Sequence, residues 1–393
     1  MTKINQIILL ILDSVGIGDA PDAEKYGDEG SNTLGNIALA LGGLYLPNLT
    51  NFGLGNIGDF IGIPAIRNPQ GAYGRLTEIS AGKDTTTGHW ELAGVSLSQP
   101  FPTFPKGFPS DFVEEFENRI GRKTLGNYPA SGTVIIDELG QQHIETGNPI
   151  IYTSADSVFQ IAAHEEVIPI RELYHICEIA REMLTGDLEV ARVIARPFVG
   201  KTGSFKRTEN RKDFSLAPPH ETILDIVKSA GYMVAGVGKI EDIFANRGLT
   251  DSNHTGNNQS SINATIEFIK TRRPGLIFVN LIDFDQNFGH RNDPKGYARA
   301  LMDFDIRLPD ILGCMTPDDL LIITADHGND PTTPSTDHSR EQVPLLAIGE
   351  KVIPGAEIGV RNTFADVAET IAFLLDLEGT GEGNQFATLI LRE

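Results

Sequence analysis

Ile7-Ile8-Leu9-Leu10-Ile11-Leu12-Asp13 is the stretch whose reading decides the fold. An unbroken apolar run this short cannot span a bilayer, and it lacks the alternation of a strand with one wet face. It reads as a strand buried on both faces of a parallel sheet, ended by a carboxylate. Residues 233–237, 276–282 and 320–324 have the same texture, with helical patterns between several of them. That alternation predicts an α/β fold, a mostly parallel sheet flanked by helices. One helix is expected at residues 263–270. Another is signalled by Thr363 as N-cap, with Asp366 at the capping-box position and an apolar-periodic run to Leu375. Sites in open α/β sheets form beyond the carboxyl ends of the strands. Three of the runs end there in acids, namely Asp13, Asp283 with Asp285, and Asp326, so these ends are expected to converge.

Composition narrows the function. The chain has 393 residues, enough for two domains. With 40% hydrophobic and 22% charged residues, it has the makings of buried cores throughout. Its formal net charge of −21 repels nucleic acid and anionic membrane surfaces, so neither is an expected partner, and no protein partner is evident. The same field repels a phosphorylated substrate unless bound cations or a local basic cluster hold it. Cys177 and Cys314 form no CxxC unit, which favours a reducing cytoplasm over a disulfide framework or thiolate zinc. The run at residues 7–12 meets Asp13 without a small-residue cleavage site and is read as a strand, not a signal peptide.

Between residues 99 and 219 the texture changes. Pro100, Pro102 and Pro105 at one edge and Ala217-Pro218-Pro219 at the other enclose a helix near 111–120 and strands at 150–153 and 190–195. An inserted smaller α/β (α+β) domain is expected there, with residues 1–98 and 220–393 forming the core.

Thr324-Ala325-Asp326-His327-Gly328-Asn329-Asp330 sets a carboxylate beside an imidazole at a strand end, and His338 follows eleven residues after His327. Residues 281–290 repeat the pattern, with Asp283, Asp285 and then His290 after a glycine. Mixed carboxylate and imidazole suits Mn²⁺ or Zn²⁺ better than Ca²⁺. A capped turn explains either cluster alone; two of them, holding three of the nine histidines, argue for a metal centre. A formal GxGxxG at Gly53-Leu54-Gly55-Asn56-Ile57-Gly58 follows Pro47-Asn48-Leu49-Thr50-Asn51 where a strand is required, so it reads as a loop. Finally, Gly82-Lys83-Asp84-Thr85-Thr86-Thr87-Gly88-His89-Trp90-Glu91 puts three hydroxyls at a helix start, where a phosphorylated side chain is favoured and a metal can activate a hydroxyl. A simple helix cap is the competing reading.

With these segments in view, the sequence resembles the phosphopentomutases of the alkaline phosphatase superfamily, relatives of the cofactor-independent phosphoglycerate mutases. The resemblance rests on Asp13-Ser14-Val15-Gly16-Ile17-Gly18, Gly82-Lys83-Asp84-Thr85 through Trp90-Glu91, Tyr152-Thr153-Ser154-Ala155-Asp156-Ser157, Ala195-Arg196-Pro197-Phe198-Val199-Gly200, and the two Asp/His clusters. It implies an alkaline-phosphatase-like core with an inserted cap. One Mn²⁺ would be held by Asp285, His290 and His338, another by Asp13, Asp326 and His327, with Thr85 between them as the phosphorylated nucleophile. It further implies a small-molecule sugar phosphate, α-D-ribose 1-phosphate or its 2-deoxy form interconverting with the 5-phosphate, met by Ser154, Asp156, Arg192, Arg207 and Lys239, and a sugar bisphosphate as activator. That basic trio would answer the acidic net charge.

Two other readings share these residues. A phosphoglycerate mutase or phosphatase of the same superfamily would keep the metal ligands and differ in the insertion. A structural metal-binding protein would keep the clusters and leave Thr85 unexplained.

Overall fold

A computed structural model describes residues 4–154 and 156–392. The chain divides into two compact units, residues 1–99 with 218–393 and residues 100–217. In chain order the strands are β1 (Gln6–Leu12) and β2 (Ala72–Leu76) in the first unit and β3 (Leu125–Pro129), β4 (Ile150–Thr153), β5 (Val158–His164), β6 (Arg192–Val199), β7 (Lys206–Arg207) and β8 (Lys212–Ser215) in the second. The first unit then resumes with β9 (Met233–Val237), β10 (Asp251–Asn253), β11 (Gly275–Leu281), β12 (Asp319–Thr324), β13 (Val343–Ile348) and β14 (Glu357–Arg361).

The core sheet runs β10-β9-β11-β1-β12-β13-β2-β14. β1 is central, paired in parallel with β11 and β12, and every residue in it is buried. Each fully buried Ile or Leu there contributes roughly 1.5–3 kcal/mol of transfer free energy, which fixes which face and end of the strand point where. β13 is antiparallel to both neighbours, so the sheet is mostly, not wholly, parallel. Register does the rest. Leu12 pairs with Leu281, and Ile11 with Thr324. β1, β11 and β12 therefore end side by side, and the residues that follow them, Asp13, 282–285 and 325–327, emerge at one edge of the sheet.

Two helix expectations change in detail. The first helix is Asn258–Lys270, begun five residues earlier by Asn257, whose side chain accepts from Ser260 N. Thr363 is not an N-cap: the helix is Asp366–Leu374, and the Thr363 hydroxyl donates to Glu91 Oε1 at 2.9 Å. The same hydroxyl accepts from Ala365 N at 3.1 Å, closing a turn just ahead of the helix. Residues 53–58 form an irregular segment with a short 3₁₀ turn, Leu54–Asn56, and no preceding strand.

The second unit has its own sheet, β3-β4-β5-β6-β7, with β8 also pairing β6. One face packs Phe108, Phe112, Phe116 and Phe159 against the helices Ser110–Ile120 and Ile170–Met183. The other packs Tyr152, Phe198 and Phe205 against the helix Gly132–Thr146. Apolar layers on both faces of a sheet satisfy the usual requirement for an independent domain. The strand expected at 190–195 is shifted to β6.

Among the described residues no helix is long and apolar enough to cross a membrane.

Candidate metal centre

Asp13, Asp285, Asp326, His327 and His338 are buried at the carboxyl edge of the core sheet. Two sets of ligand atoms lie within 4.8 Å of one another: Asp13, Asp326 and His327, and Asp285, His327 and His338. His290 joins the second through Asp285, with Nε2 3.1 Å from Asp285 Oδ2. The chain thus brings together all six residues expected to hold metal, with His327 in reach of both sets. Asp283 faces elsewhere, accepting from Asn258 N and Asn287 Nδ2.

Local structure aims these groups. After β11 the chain makes a π-helical turn, Phe284–Phe288, and a 3₁₀ turn, Gly289–Arg291. Single π-helical turns are frequent at functional sites. His290 Nδ1 lies 2.7 Å from the Thr336 carbonyl and His327 Nδ1 3.0 Å from the Gly328 carbonyl. Those carbonyls can only accept, so each ring carries a proton on Nδ1, which leaves Nε2 as the nitrogen that can meet a metal, the arrangement that metal-binding histidines use. After β1, Ser14 takes φ 73°. A non-glycine residue there is strained, and its N–H donates to Asp326 Oδ1 at 3.1 Å.

The electrostatics call for cations. Burial, then the charges of Asp326 and Asp285, push the Asp13 carboxyl up to about 7, against the opposing pull of His327 and Lys239. Burial disfavours the Asp285 anion too, yet His338 and His290 hold it well below its usual range. Asp13 Oδ1, Asp326 Oδ2 and His338 Nε2 are buried without a hydrogen-bond partner. Imidazole nitrogens of His89 and His327 stand 3.0 and 3.3 Å from that Asp326 oxygen, close enough for Coulomb attraction but not aligned as hydrogen bonds. Unpartnered buried lone pairs on mixed carboxylate and imidazole fit divalent Mn²⁺ or Zn²⁺.

Thr85 is the first residue of the helix Thr85–Leu92, and its hydroxyl lies 3.1 Å from His327 Nε2. Asp84 caps that helix, accepting from Thr86 N, Thr87 N and the Thr87 hydroxyl. Thr86 and Thr87 are buried, while Thr85 is partly exposed. Of the three hydroxyls, only that of Thr85 is both accessible and against the Asp/His cluster. Gly88 allows the approach, since a Cβ there would stand 2.0 Å from the Asp326 carbonyl oxygen.

Lys239 follows β9 and lies near enough to Asp13 to lower its pKa. In the second unit Arg192 stands 3.8 Å from Asp156 and 3.6 Å from Asp213, and Ser154, half-buried, directly follows β4. Arg207 pairs with Phe198 on β6, and its guanidinium lies beside Gly132 and the Tyr152 hydroxyl, its charge acting on Arg196 and Tyr152.

No role for Asn280, His89, Asn329 or Arg340 follows from the sequence patterns alone. Asn280 is the one polar side chain in the otherwise apolar β11, a signal that was legible. Asn329 donates to Asp285 Oδ1 at 2.8 Å. Arg340, wholly buried, ties residues 78–82 in place ahead of Thr85.

A family model for the Metalloenzyme superfamily matches residues 5–379. Curated phosphopentomutases are similar along the whole chain. That of Alkaliphilus oremlandii is 58% identical over 99% of this chain and 100% of its own, and that of Desulfitobacterium hafniense 59% over 96% and 98%. Among solved structures, a Leishmania mexicana phosphoglycerate mutase crystallised at low cobalt concentration is 12% identical, with a TM-score of 0.51 over 99% of this chain and 98% of that one, a likeness of fold. With a buried Asp/His centre at the edge of an alkaline-phosphatase-like sheet and relatives of this identity over full length, the chain belongs to the phosphopentomutase family, isomerases of the Metalloenzyme superfamily.

Proposed function

We propose that the chain interconverts α-D-ribose 1-phosphate, or its 2-deoxy form, with the 5-phosphate through a phosphorylated Thr85 at a two-Mn²⁺ centre. The observation that carries this reading is the Thr85 hydroxyl, accessible and 3.1 Å from His327 Nε2 at the rim of the Asp/His cluster. In this reading Asp285, His290 and His338 hold one cation and Asp13, Asp326 and His327 the other. Two such ions supply Lewis acidity that stabilises the threonine alkoxide and the phosphoryl oxygens as charge moves between them.

The remaining work falls to the chain. Phosphothreonine 85 gives its phosphoryl group to the free hydroxyl of the bound sugar phosphate, making a ribose 1,5-bisphosphate and regenerating the Thr85 oxygen. That oxygen then attacks the other phosphorus, and the isomerised monophosphate leaves. Donation and recapture are one reaction run in opposite directions, so one nucleophile serves both. The helix N-terminus behind Thr85, with Asp84 as its cap, orients the nucleophile and favours the phosphate's negative charge. Within the inserted unit Ser154, Asp156, Arg192 and Arg207 are the candidates to hold the sugar phosphate; within the core the candidate is Lys239, whose charge reaches Asp13. A trace of sugar bisphosphate phosphorylates Thr85 for the first turnover. A phosphatase on the same core would transfer the group to water instead.

The test is incubation of Mn²⁺-loaded protein with ribose 1-phosphate and a trace of sugar bisphosphate, following ribose 5-phosphate and free phosphate together. Formation of the 5-phosphate with little free phosphate, and phosphate on the Thr85 peptide by mass mapping, is expected. Steady release of phosphate without 5-phosphate would establish a phosphatase, and a Thr85→Ala variant that still isomerises would refute the nucleophile.

A further inference from the structure

We propose that His89 and Asn280 are positioning residues that hold Asp13 in its ligand orientation and tie it to the backbone of Thr85. The inference rests on the reading that Asp13, Asp326 and His327 hold a cation. Asn280, wholly buried on β11, has its amide nitrogen 3.1 Å from Asp13 Oδ2 and 3.0 Å from His89 Nε2. A side-chain amide has two N–H donors. A carboxylate only accepts, so one of them goes to Asp13. The other goes to His89, whose Nε2 must then be the bare nitrogen of the ring. The single ring proton is left on Nδ1, which donates to the Thr85 carbonyl at 2.9 Å with Asp326 Oδ2 3.0 Å away.

The result is one directed chain, Asp13 to Asn280 to His89 to Thr85. Its parts cannot easily turn: the His89 ring is wholly buried and stacks on Phe278, centroids 5.6 Å apart at 26°. Because Oδ2 of Asp13 is engaged by Asn280, its other oxygen is the one left for a cation, and Oδ1 is indeed the buried atom without a hydrogen-bond partner, 3.6 Å from His327 Nε2. The chain thus sets which oxygen of Asp13 faces the centre and couples it to the residue that carries the nucleophile. Partners of this kind around metal ligands act through orientation, and losing them costs ~10–100-fold in metal affinity. A purely structural histidine would have no reason to link two functional groups.

Mn²⁺ titration of the full chain, with free ion followed by electron paramagnetic resonance, tests this without reference to activity. Wild type should bind two ions. Asn280→Leu, neutral and close to Asn in shape, should weaken one of them by ~10–100-fold and spare the other. His89→Asn places an amide nitrogen where Nδ1 stands and should bind more tightly than His89→Gln, although Gln is nearer to His in volume; a packing role reverses that order. Unchanged constants in Asn280→Leu or His89→Gln, in whichever variant circular dichroism shows folded, would overturn the proposal. Should wild type bind no Mn²⁺, it is the cation reading beneath that fails, and Asp13→Asn losing one ion while both positioning variants keep two would separate the cases.

Discussion

Arg340→Met should destabilise the core by about 4 kcal/mol and slow the enzyme. The Arg340 side chain is 1% exposed. Its Nη1 donates to Glu78 Oε2 at 2.6 Å and to the carbonyls of Ser80 and Gly82 at 2.8 and 2.6 Å; Nη2 reaches the Glu78 carbonyl at 2.7 Å, and Nε reaches Asp22 Oδ1 at 3.0 Å. Methionine keeps most of the stem and none of the donors. Stranding one partner of a buried ion pair costs roughly 3–5 kcal/mol. The Asp22 contact adds at most ~1 kcal/mol, because that carboxylate is 29% exposed and screened by water. A ceiling applies to the charge term. Burial already pushes the Glu78 carboxyl well above its usual range, with Arg340 as the main opposing charge. Without Arg340 the carboxyl is pushed higher still, toward its neutral form, and the remaining cost is the three carbonyls left without donors.

The assay is urea unfolding in excess chelator, so that bound cations add no stabilisation of their own, on wild type, Arg340→Met, Glu78→Gln and the double variant. Glu78→Gln should cost much less on the Arg340→Met background than on wild type, a coupling of about 2 kcal/mol. The 78–82 segment runs into Asp84 and Thr85, so Arg340→Met should also lower kcat more than it raises KM. Additive single effects would refute the claim that the pair acts as a unit, and an unchanged kcat would refute the claim that it positions the nucleophile.

Gly88→Ala puts a methyl 2.0 Å from the Asp326 carbonyl oxygen and must push the Thr85 helix off the sheet edge. A displacement near 1 Å at a reacting centre costs roughly 100-fold, to be read as the rate of ribose 5-phosphate formation in a folded variant. Phe116→Ala removes a fully buried ring that meets Phe159 edge-on at 5.4 Å. It should cost the inserted unit about 3–5 kcal/mol, seen as loss of amide exchange protection in residues 100–217. Burial pushes Asp213 up, but Arg211 and Arg192 outweigh it and hold the carboxyl below its ordinary 3.8. A depressed folded pKa adds stability that is complete above the unfolded value and is lost as pH falls through the folded one. Asp213→Asn should therefore destabilise the inserted unit at pH 7, and the gap from wild type should narrow below about pH 4 in denaturant titrations at pH 7, 5 and 3.

The central strands were legible because they are buried on both faces: in β1, β9, β11 and β12 nothing but apolar character is required, and that shows as continuous runs. β13 is equally buried but carries Pro344, which argues against a central strand. The structure resolves the conflict. Pairing with β12 covers Leu346 to Ile348, so Pro344 pairs only with β2, and its missing N–H interrupts no β12 ladder bond. β2 holds Gly74, and β14 is mostly exposed, is irregular near Glu357 and holds Gly359; glycine inside a strand weakens its pattern. Thr363 was misread because its hydroxyl serves Glu91, 272 positions away, where a local rule cannot look.

The candidate ligands were legible for a related reason. Each lies directly after a strand that periodicity identifies, and parallel register then makes their convergence a geometric necessity, as the pairing of Leu12 with Leu281 and Ile11 with Thr324 shows. What supports them was not. His89 sits four residues after Thr85, so its neighbour on the helix is deducible, but its partner Asn280 is 191 residues away. Asn280 is legible as the lone polar side chain in a run read as buried, but its partners are not. Arg340 looks like a surface charge until Glu78 and Asp22 are placed around it. Ligands announce themselves by chemistry at predictable chain positions; the groups that orient them answer to pairings made only when distant segments meet. The residues hardest to read from the sequence are therefore those whose replacement should alter cation affinity and kcat while leaving every ligand and the nucleophile in place.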